Sequence, residues 1–309
     1  MAQPVIIDCD PGHDDAVALF LALADPAISV TCVTTVAGNQ TLERVTQNAR
    51  SLLTVAECSE IPVAAGASDP LVRDLETAGE VHGDSGLGGV TLPSPKAELE
   101  AYHAVTRIAH ELETSKEPVT IIATGPLTNI ALTLRLYPEL TAAIKRIVVM
   151  GGALNSGNVT PVAEFNSYVD PEAASVVYEA SVPVTMIGLN VTRQAQLSAD
   201  TFERFREMNN RIGPLVAQLL SDYLTFHREQ FGWNGVVIHD ACAVASVIDD
   251  SLIETKEMGV RVETGSQLTR GQTVCDRWGV TDWDGTVSVG VDIARPAFHE
   301  LLFDRLASY

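Results

Sequence analysis

Short runs of apolar, mostly β-branched residues, bounded by glycine or proline, alternate with longer amphipathic segments through the first two thirds of this chain. This alternation is typical of βαβ units, in which helices connect parallel strands and cover the sheet. We predict strands at residues 5–10, 28–36, 61–65, 119–124, 147–150 and 184–189. We predict helices between them at residues 14–23, 42–56, 99–112, 127–135 and 171–179, the last with Asp170 as its N-cap.

The remainder of the chain is more helical. Helices are predicted at residues 199–209, 214–230, 239–248 and 296–306, with strand-like runs near residues 258–263 and 287–291. No internal repeat, low-complexity linker or shift in composition marks a domain boundary. We therefore expect a single domain over residues 1–309 of the α/β class: a doubly wound, mostly parallel sheet with a Rossmann-like core and extra C-terminal strands and helices.

The charge balance excludes several classes of partner. Forty acidic and twenty basic residues give a net charge of −20, and no basic run could follow a phosphate backbone. We expect no nucleic-acid partner and no membrane association, since no apolar stretch approaches the roughly 20 residues of a membrane span. The first residues lack a secretion-signal pattern, and the five cysteines are widely spaced without a CxxC pair. A cytoplasmic protein with reduced thiols is the expectation.

Polar or glycine-rich segments follow four of the predicted strands, at residues 10–15, 37–39, 124–126 and 150–152. The first of these segments contributes three of four closely spaced carboxylates, which are Asp8, Asp10, Asp14 and Asp15. Ligands of open α/β sheets bind outside the carboxyl ends of the strands, where these segments meet. One carboxylate is enough to cap a helix, and four in close proximity repel one another. A hard cation that prefers oxygen ligands, Ca²⁺ or Mg²⁺, accounts for the surplus better than zinc does.

The segment DCDPGHDDA at residues 8–16 closely resembles the amino-terminal signature of the nucleoside hydrolases, which include inosine-uridine-preferring and pyrimidine-preferring nucleoside N-ribohydrolases. The resemblance continues in the order of that family across nearly the whole chain. It includes AGN at 37–39, VHGDSGLGG at 81–89, TGPLTN at 124–129, MGGALNSGNVTPVAEFNSYVDPEAA at 150–174 and HDACAV at 239–244. It implies hydrolysis of ribonucleosides to ribose and a free base, in nucleoside salvage.

The resemblance also implies a set of site residues. A single Ca²⁺ would be held by Asp10, Asp15, the backbone carbonyl of Thr124 and Asp240. The substrate's ribose would contact Asp14, Asn39, Met150, Asn158, Glu164, Asn166 and Asp240. Asp8 keeps a structural role. A homo-oligomer, dimer or tetramer, is implied as well.

The chemistry of N-glycosidic hydrolysis requires such a set, because it proceeds through an oxocarbenium-like ribosyl cation. We assign Asp10 as the general base for the attacking water. His82 and His239 lie in segments that flank the nucleobase in this family, and a histidine can help a base to leave. The histidine at position 13 is similar to the residue in the pyrimidine-preferring members of the family. This resemblance slightly favours uridine and cytidine over inosine as substrates.

The aromatic segment at residues 223–233 allows two interpretations: a helix core followed by a surface turn, or a flap over the nucleobase. In the second, Phe231 contacts the base at a position where some relatives carry tyrosine. Two other functions compete with the hydrolase. A metal-dependent phosphohydrolase with an aspartate nucleophile would need a hydroxyl residue and a basic clamp near the DCDPG turn, which has neither. A calcium-dependent nucleoside- or ribose-binding protein would need no general base.

Overall fold

A computed structural model describes residues 2–283 and 287–309 of the chain. The strands are β1 (Gln3–Cys9), β2 (Ile28–Thr35), β3 (Val63–Ala65), β4 (Val119–Ala123), β5 (Ile144–Met150), β6 (Val184–Ile187), β7 (Leu197–Ser198), β8 (Gly235–Val236), β9 (Ile253–Met258), β10 (Val260–Val262), β11 (Thr273–Cys275) and β12 (Val287–Ile293). The helices are α1 (His13–Ala24), α2 (Leu42–Val55), α3 (Gly79–His82), α4 (Ala104–Thr114), α5 (Thr128–Leu136), α6 (Phe165–Val169), α7 (Pro171–Tyr178), α8 (Leu189–Thr192), α9 (Phe202–Arg206), α10 (Ile212–Phe231), α11 (His239–Ile248) and α12 (Arg295–Ala307). Within the described ranges, no helix has both the length and the apolar character that a membrane span requires.

Eight strands form the central sheet, in the order β3-β2-β1-β4-β5-β6-β12-β9. Its neighbours are parallel except at one edge, where β9 runs antiparallel to β12. Since β1 pairs with β2 on one side and with β4 on the other, the strand order reverses between β1 and β4. This is the switch point at which open α/β sheets bind ligands. The predicted mostly parallel α/β fold is confirmed.

Apolar clusters cover both faces of the sheet, as the alternation of side chains along a strand requires. Val5 and Ile7 of β1 point to one face, where they join Phe20 of α1 in a cluster that also includes residues of α10 and α11. Ile6 points to the other face and joins Ile130 of α5 in a second cluster. Helices on both faces hold β1 and β4 rigidly, and the residues that follow these strands are positioned with them.

Two predicted helices are shorter than expected. The helix predicted at 99–112 begins at Ala104, because the His103 side chain caps it by accepting a hydrogen bond from the backbone N–H of Val105. Leu99 forms a parallel bridge to Val63 at the sheet edge instead. The helix predicted at 199–209 is reduced to α9, which follows a single 3₁₀ turn.

The single strand predicted at residues 258–263 is wrong. Met258 ends β9 in the central sheet, whereas β10 begins at Val260 and pairs with β11 in a separate antiparallel ribbon. Gly259 separates the two, and a Cβ atom there would lie 3.2 Å from Trp283. A continuous apolar run did not reveal the change of sheet, because both strands bury the same kind of residue.

Candidate active site

A cavity of about 510 Å³ opens at the carboxyl ends of β1, β4 and β5, at the switch point of the sheet. Eleven of the residues predicted for the site line it: Asp14, Asn39, His82, Thr124, Met150, Asn158, Glu164, Asn166, Phe231, His239 and Asp240. The other two, Asp10 and Asp15, are buried and bond to residues of the cavity wall. The fold therefore brings all the predicted site residues to one place from segments more than two hundred residues apart.

Asp14, Asp15 and Asp240 form a compact group of carboxylates at one end of the cavity. One oxygen of each lies within 4.8 Å of the others, and all three side chains are at least 95% buried. None of the ion pairs found among the described residues involves them. Burial, followed by repulsion from Asp14 and Asp15, raises the pKa of Asp240 well above its usual value. A donor set of this kind fits a hard divalent cation.

Asp10 lies next to this group and has one oxygen free. Its Oδ2 accepts a hydrogen bond of 2.7 Å from the backbone N–H of Asn39, whereas its Oδ1 is buried without a partner among the described residues. Burial, and then the charge of Asp15, raise the pKa of Asp10 well above its usual value. Gly38 and Gly125 pack against the two oxygens: a Cβ atom would lie 2.1 Å from Oδ2 at Gly38 and 2.8 Å from Oδ1 at Gly125.

The group of three differs from the predicted calcium ligands, since it contains Asp14 rather than Asp10. Asp15 is held by hydrogen bonds from the hydroxyl of Thr124, at 2.8 Å to Oδ1, and from the side-chain amide of Asn39, at 3.1 Å to Oδ2. The carbonyl of Thr124 accepts a bond of 2.7 Å from Asn166. The assignment of metal ligands stays a prediction, and Asp14 is an additional candidate.

Asp8 lies on β1 beneath the cavity and makes structural contacts. Its Oδ1 accepts hydrogen bonds from the Thr34 hydroxyl, at 2.5 Å, and from the Asn129 side chain, at 2.8 Å. Burial raises the pKa of Asp8 to about 6, although both bonds oppose the shift. These contacts tie β1, β2 and α5 together directly below the carboxylate group.

The predicted ribose contacts lie on a rigid frame. Glu164 caps α6, and its carboxylate accepts bonds from the backbone N–H groups of Gly152, Asn166 and Ser167. The Asn166 side chain donates to the carbonyls of Thr124 and Met150, so that β4, β5 and α6 meet at one amide. These polar groups have fixed directions before any substrate arrives.

Two histidines, His82 and His239, also line the cavity. Nδ1 of His239 lies 2.7 Å from the hydroxyl of Thr192, and Nδ1 of His82 lies 3.0 Å from Nδ1 of His13. Burial lowers the pKa of His239 to about 3 and that of His82 well below its usual value. Both rings are therefore neutral near pH 7, and each offers one N–H donor and one nitrogen lone pair.

The aromatic segment at residues 223–233 is both the end of α10 and part of the cavity wall. Tyr223 and His227 are buried on the helix, where Nδ1 of His227 donates to the Tyr223 carbonyl at 3.0 Å. Phe231 is 38% exposed and stacks on Trp233, with ring centroids 4.7 Å apart. The helix-core interpretation therefore holds for Tyr223 and His227. Phe231 and Trp233 line the cavity, which is the position that the flap interpretation requires.

Sequence reasoning missed two site residues, Thr192 and Arg193, which follow β6. Arg193 lines the cavity and donates to the carbonyls of Ser156 and Gly157, in the loop that carries Asn158. The signal that could have found them is positional: they lie in the helical turns just beyond the carboxyl end of a parallel strand. Their segment, NVTRQ, has no recognisable motif of its own.

Comparison with known proteins adds an independent line of observation. A family model described as inosine-uridine preferring nucleoside hydrolase matches residues 5–300. The pyrimidine-specific ribonucleoside hydrolase RihA of Salmonella paratyphi A is 48% identical over 310 residues, covering 100% of both chains. The solved structure of a plant nucleoside hydrolase, PpNRh1, is similar with a TM-score of 0.95 and 32% identity, covering 100% of both chains. A purine-preferring ribonucleoside hydrolase from Gardnerella vaginalis gives a TM-score of 0.93 at 31% identity, covering 99% of this chain and 98% of that one.

Proposed function

The chain belongs to the family of inosine-uridine preferring nucleoside hydrolases, and from this premise we propose that it hydrolyses pyrimidine ribonucleosides, uridine and cytidine, with a bound Ca²⁺. The products are ribose and the free base, which serve nucleoside salvage. The observation that carries the proposal is the meeting of unneutralised buried carboxylates and neutral histidines in the wall of one cavity.

The calcium proposal is supported by the charge in the cavity. Asp10, Asp14, Asp15 and Asp240 are buried, and carboxylates in such surroundings are costly to keep ionised without a cation. Asp10, Asp15, Asp240 and the carbonyl of Thr124 would hold the ion, with Asp14 beside them. When bound, Ca²⁺ would neutralise these charges and polarise the oxygen atoms of water and substrate.

The residues of the chain then divide the reaction between them. Oδ1 of Asp10 has no partner among the residues that the structure describes, so it can accept the proton of a water that attacks C1′ of the ribose. Asp14, Asn39, Asn158, Glu164 and Asn166 hold the ribose hydroxyls. The carboxylates near the sugar favour the positive charge that develops on it. His82 and His239, being neutral, help the base to leave by donating hydrogen bonds rather than by acting as charged acids.

The preference for pyrimidines is supported by the likeness to RihA, which is described as pyrimidine-specific, at 48% identity over its full length. The fold alone does not decide this point, because a purine-preferring hydrolase has nearly the same structure. The aromatic wall that includes Tyr223, Phe231 and Trp233 suits stacking against a flat base. We propose Phe231 as the base contact of this wall.

The competing functions have less support. A metal-dependent phosphohydrolase would need a basic clamp for the phosphate besides its metal, but the guanidinium of Arg193, which lines the cavity, is engaged with Ser156 and Gly157. A calcium-dependent binding protein would need Asp10 only as a metal ligand, whereas the 48% identity to the ribonucleoside hydrolase RihA supports an additional role as a base. This identity therefore favours the hydrolase.

One assay separates the three functions. The protein is incubated with uridine, cytidine, inosine and a phosphomonoester, with and without a calcium chelator, and reducing sugar and phosphate are measured. We expect sugar from uridine and cytidine faster than from inosine, and loss of this activity with the chelator. Release of phosphate would contradict the proposal, and tight nucleoside binding without sugar release would indicate a binding protein.

We also propose that the protein forms a homo-oligomer. The proposal is supported by three strongly exposed apolar side chains, Leu268, Trp278 and Val280, each more than 80% exposed, because contiguous apolar surface of this kind marks contact sites. Light scattering of the purified protein measures this directly, and a monomeric mass would contradict it.

A further inference from the structure

His13 lies directly behind His82, on the side away from the cavity. The two Nδ1 atoms are 3.0 Å apart, and the ring centroids are separated by 5.2 Å. His82 lines the cavity, but His13 does not and is only 1% exposed. We propose that His13 is a positioning residue that fixes the tautomer of His82, so that His82 presents an Nε2–H donor to the departing nucleobase. This inference rests on the proposed role of His82.

The direction of the hydrogen bonds carries the inference. The backbone N–H of His13 points at Nδ1 of His82, with the nitrogen atoms 3.4 Å apart. Because a backbone amide can only donate, this Nδ1 acts as an acceptor and carries no proton. The ring of His13, whose Nδ1 is closer at 3.0 Å, then donates to the same Nδ1 through its own Nδ1–H and is the stronger of the two donors. Removing the ring would leave only the long backbone contact to hold this tautomer. A neutral His82 has one ring proton, which is left on Nε2.

Nε2 of His82 is the atom available to a ligand. It has no hydrogen-bond partner among the described residues, and unlike Nε2 of His13 it is not sealed from the cavity. When the glycosidic bond breaks, its electron pair stays on the base and the negative charge spreads to the carbonyl oxygens of the pyrimidine. An Nε2–H donor stabilises that charge without giving up its proton, and the base takes a proton from solvent after release.

The packing around the pair leaves little freedom to either ring. Tyr223 stacks on His13 with nearly parallel planes, 5° apart, at a centroid distance of 5.1 Å. A Cβ atom at Gly12 would lie 2.6 Å from Nδ1 of His82, and one at Gly88 would lie 2.8 Å from Nε2 of His13. Glycine at both positions therefore allows the two imidazoles to meet, and neither ring can flip without displacing its neighbours.

The test compares two substrates that differ in their leaving groups. Uracil needs stabilisation as it departs, whereas the nitrophenolate of p-nitrophenyl β-ribofuranoside leaves unaided. His13→Phe should lower kcat/KM for uridine roughly 10- to 100-fold, the effect of one hydrogen bond to developing charge, and that for the nitrophenyl riboside less than threefold. His13→Asn, whose side-chain amide can donate from nearly the same place as Nδ1–H, should restore much of the uridine activity.

His82→Ala separates a failure of this inference from a failure of the proposed function. If His82→Ala lowers both substrates equally, the proposed role of His82 fails. If His82→Ala is selective for uridine and His13→Phe is not, only the role of His13 fails.

A second measurement uses the wild-type protein, so its main result does not depend on whether a variant folds. The ¹⁵N chemical shifts of the imidazoles, recorded on histidine-labelled wild-type protein, report which nitrogen of His82 carries the proton. We expect the proton on Nε2, and a proton on Nδ1 would overturn the inference. In His13→Phe the His82 signals should shift toward a mixture of tautomers.

Discussion

The hydroxyl of Thr192 lies 2.7 Å from Nδ1 of His239, and this contact joins two segments that are 47 residues apart in the chain. Thr192 ends α8, just beyond strand β6, and is completely buried, while His239 begins α11 and reaches the cavity. The contact holds the His239 ring at a fixed angle next to Asp240. All four histidines of the cavity region, His13, His82, His227 and His239, have a hydrogen-bond partner at Nδ1.

We predict that Thr192→Val lowers kcat for uridine about 10-fold. The substitution leaves Nδ1 of His239 without its buried partner, and the loss of such a hydrogen bond destabilises the orientation in which the ring acts by about 1–3 kcal/mol. Valine has nearly the shape of threonine, so the fold should be preserved. Steady-state kinetics of Thr192→Val and of Thr192→Ser, which keeps the hydroxyl, provide the measurement and its control. Equal loss in both variants would show that packing, rather than the hydrogen bond, is what matters.

Asp10→Asn should lower kcat by about 10²- to 10⁴-fold, the usual contribution of a general base, while changing KM little. The asparagine carbonyl can still accept the Asn39 N–H, but its amide group replaces the free Oδ1 and cannot take a proton. Asp8→Asn is a matched control, since Asp8 is equally buried and also has one oxygen without a partner among the described residues, but it lies beneath the cavity and its Oδ1 bonds to structural partners. Unchanged turnover in Asp10→Asn would assign the base elsewhere.

Calcium should stabilise the protein more at high pH than at low pH. Without metal, burial raises the pKa of Asp14 to about 7 and those of Asp10 and Asp240 well above the usual value of 3.8. A carboxyl with a raised folded-state pKa stabilises the fold when protonated, and that contribution is lost as the pH rises through the folded-state pKa. Protons therefore replace the cation at low pH.

The measurement is the difference in Tm between dialysed, metal-free protein and the same protein with added CaCl₂. At pH 8 and saturating calcium we expect a rise of about 5 °C, and at pH 5.5 less than half of it. Protonation of the buried histidines lowers the stability of the protein as the pH falls. This contribution is present in both samples and therefore cancels in the difference in Tm. Equal shifts at the two pH values would contradict the carboxylate assignment, and MgCl₂ tests the choice of cation.

Phe231→Ala should raise KM for uridine about 10-fold with a smaller change in kcat, because stacking on a base is worth about 1–3 kcal/mol. The variant also removes the ring that packs on Trp233 at 4.7 Å. Tyr102→Ala removes another exposed aromatic ring outside the cavity and is the control. If KM for uridine stays constant in Phe231→Ala, the segment is a surface turn and not a wall of the base site.

Local sequence patterns predict much of the architecture. Short runs of apolar, mostly β-branched residues predicted the strands of the sheet core, and Asp170 before Pro171 predicted the start of α7, where the Asp170 side chain accepts the N–H of Ala173 at 2.9 Å. Capping and side-chain alternation involve neighbours a few residues apart, so their physics is visible in a short window. Residues 258–263 show where this stops, since local sequence does not say which sheet a strand joins.

The sequence alone determined which residues bear chemistry, because carboxylates, amides and histidines cluster after strand ends in motifs that resemble a known family. Only the tertiary structure decided how they meet. It put the Thr192 hydroxyl on His239, placed His13 behind His82 and left Oδ1 of Asp10 without a partner in the described part of the chain. These relations depend on the strand order around the switch point and on side-chain packing between distant segments. Long-range packing therefore set the protonation and direction of each group that the sequence had only named.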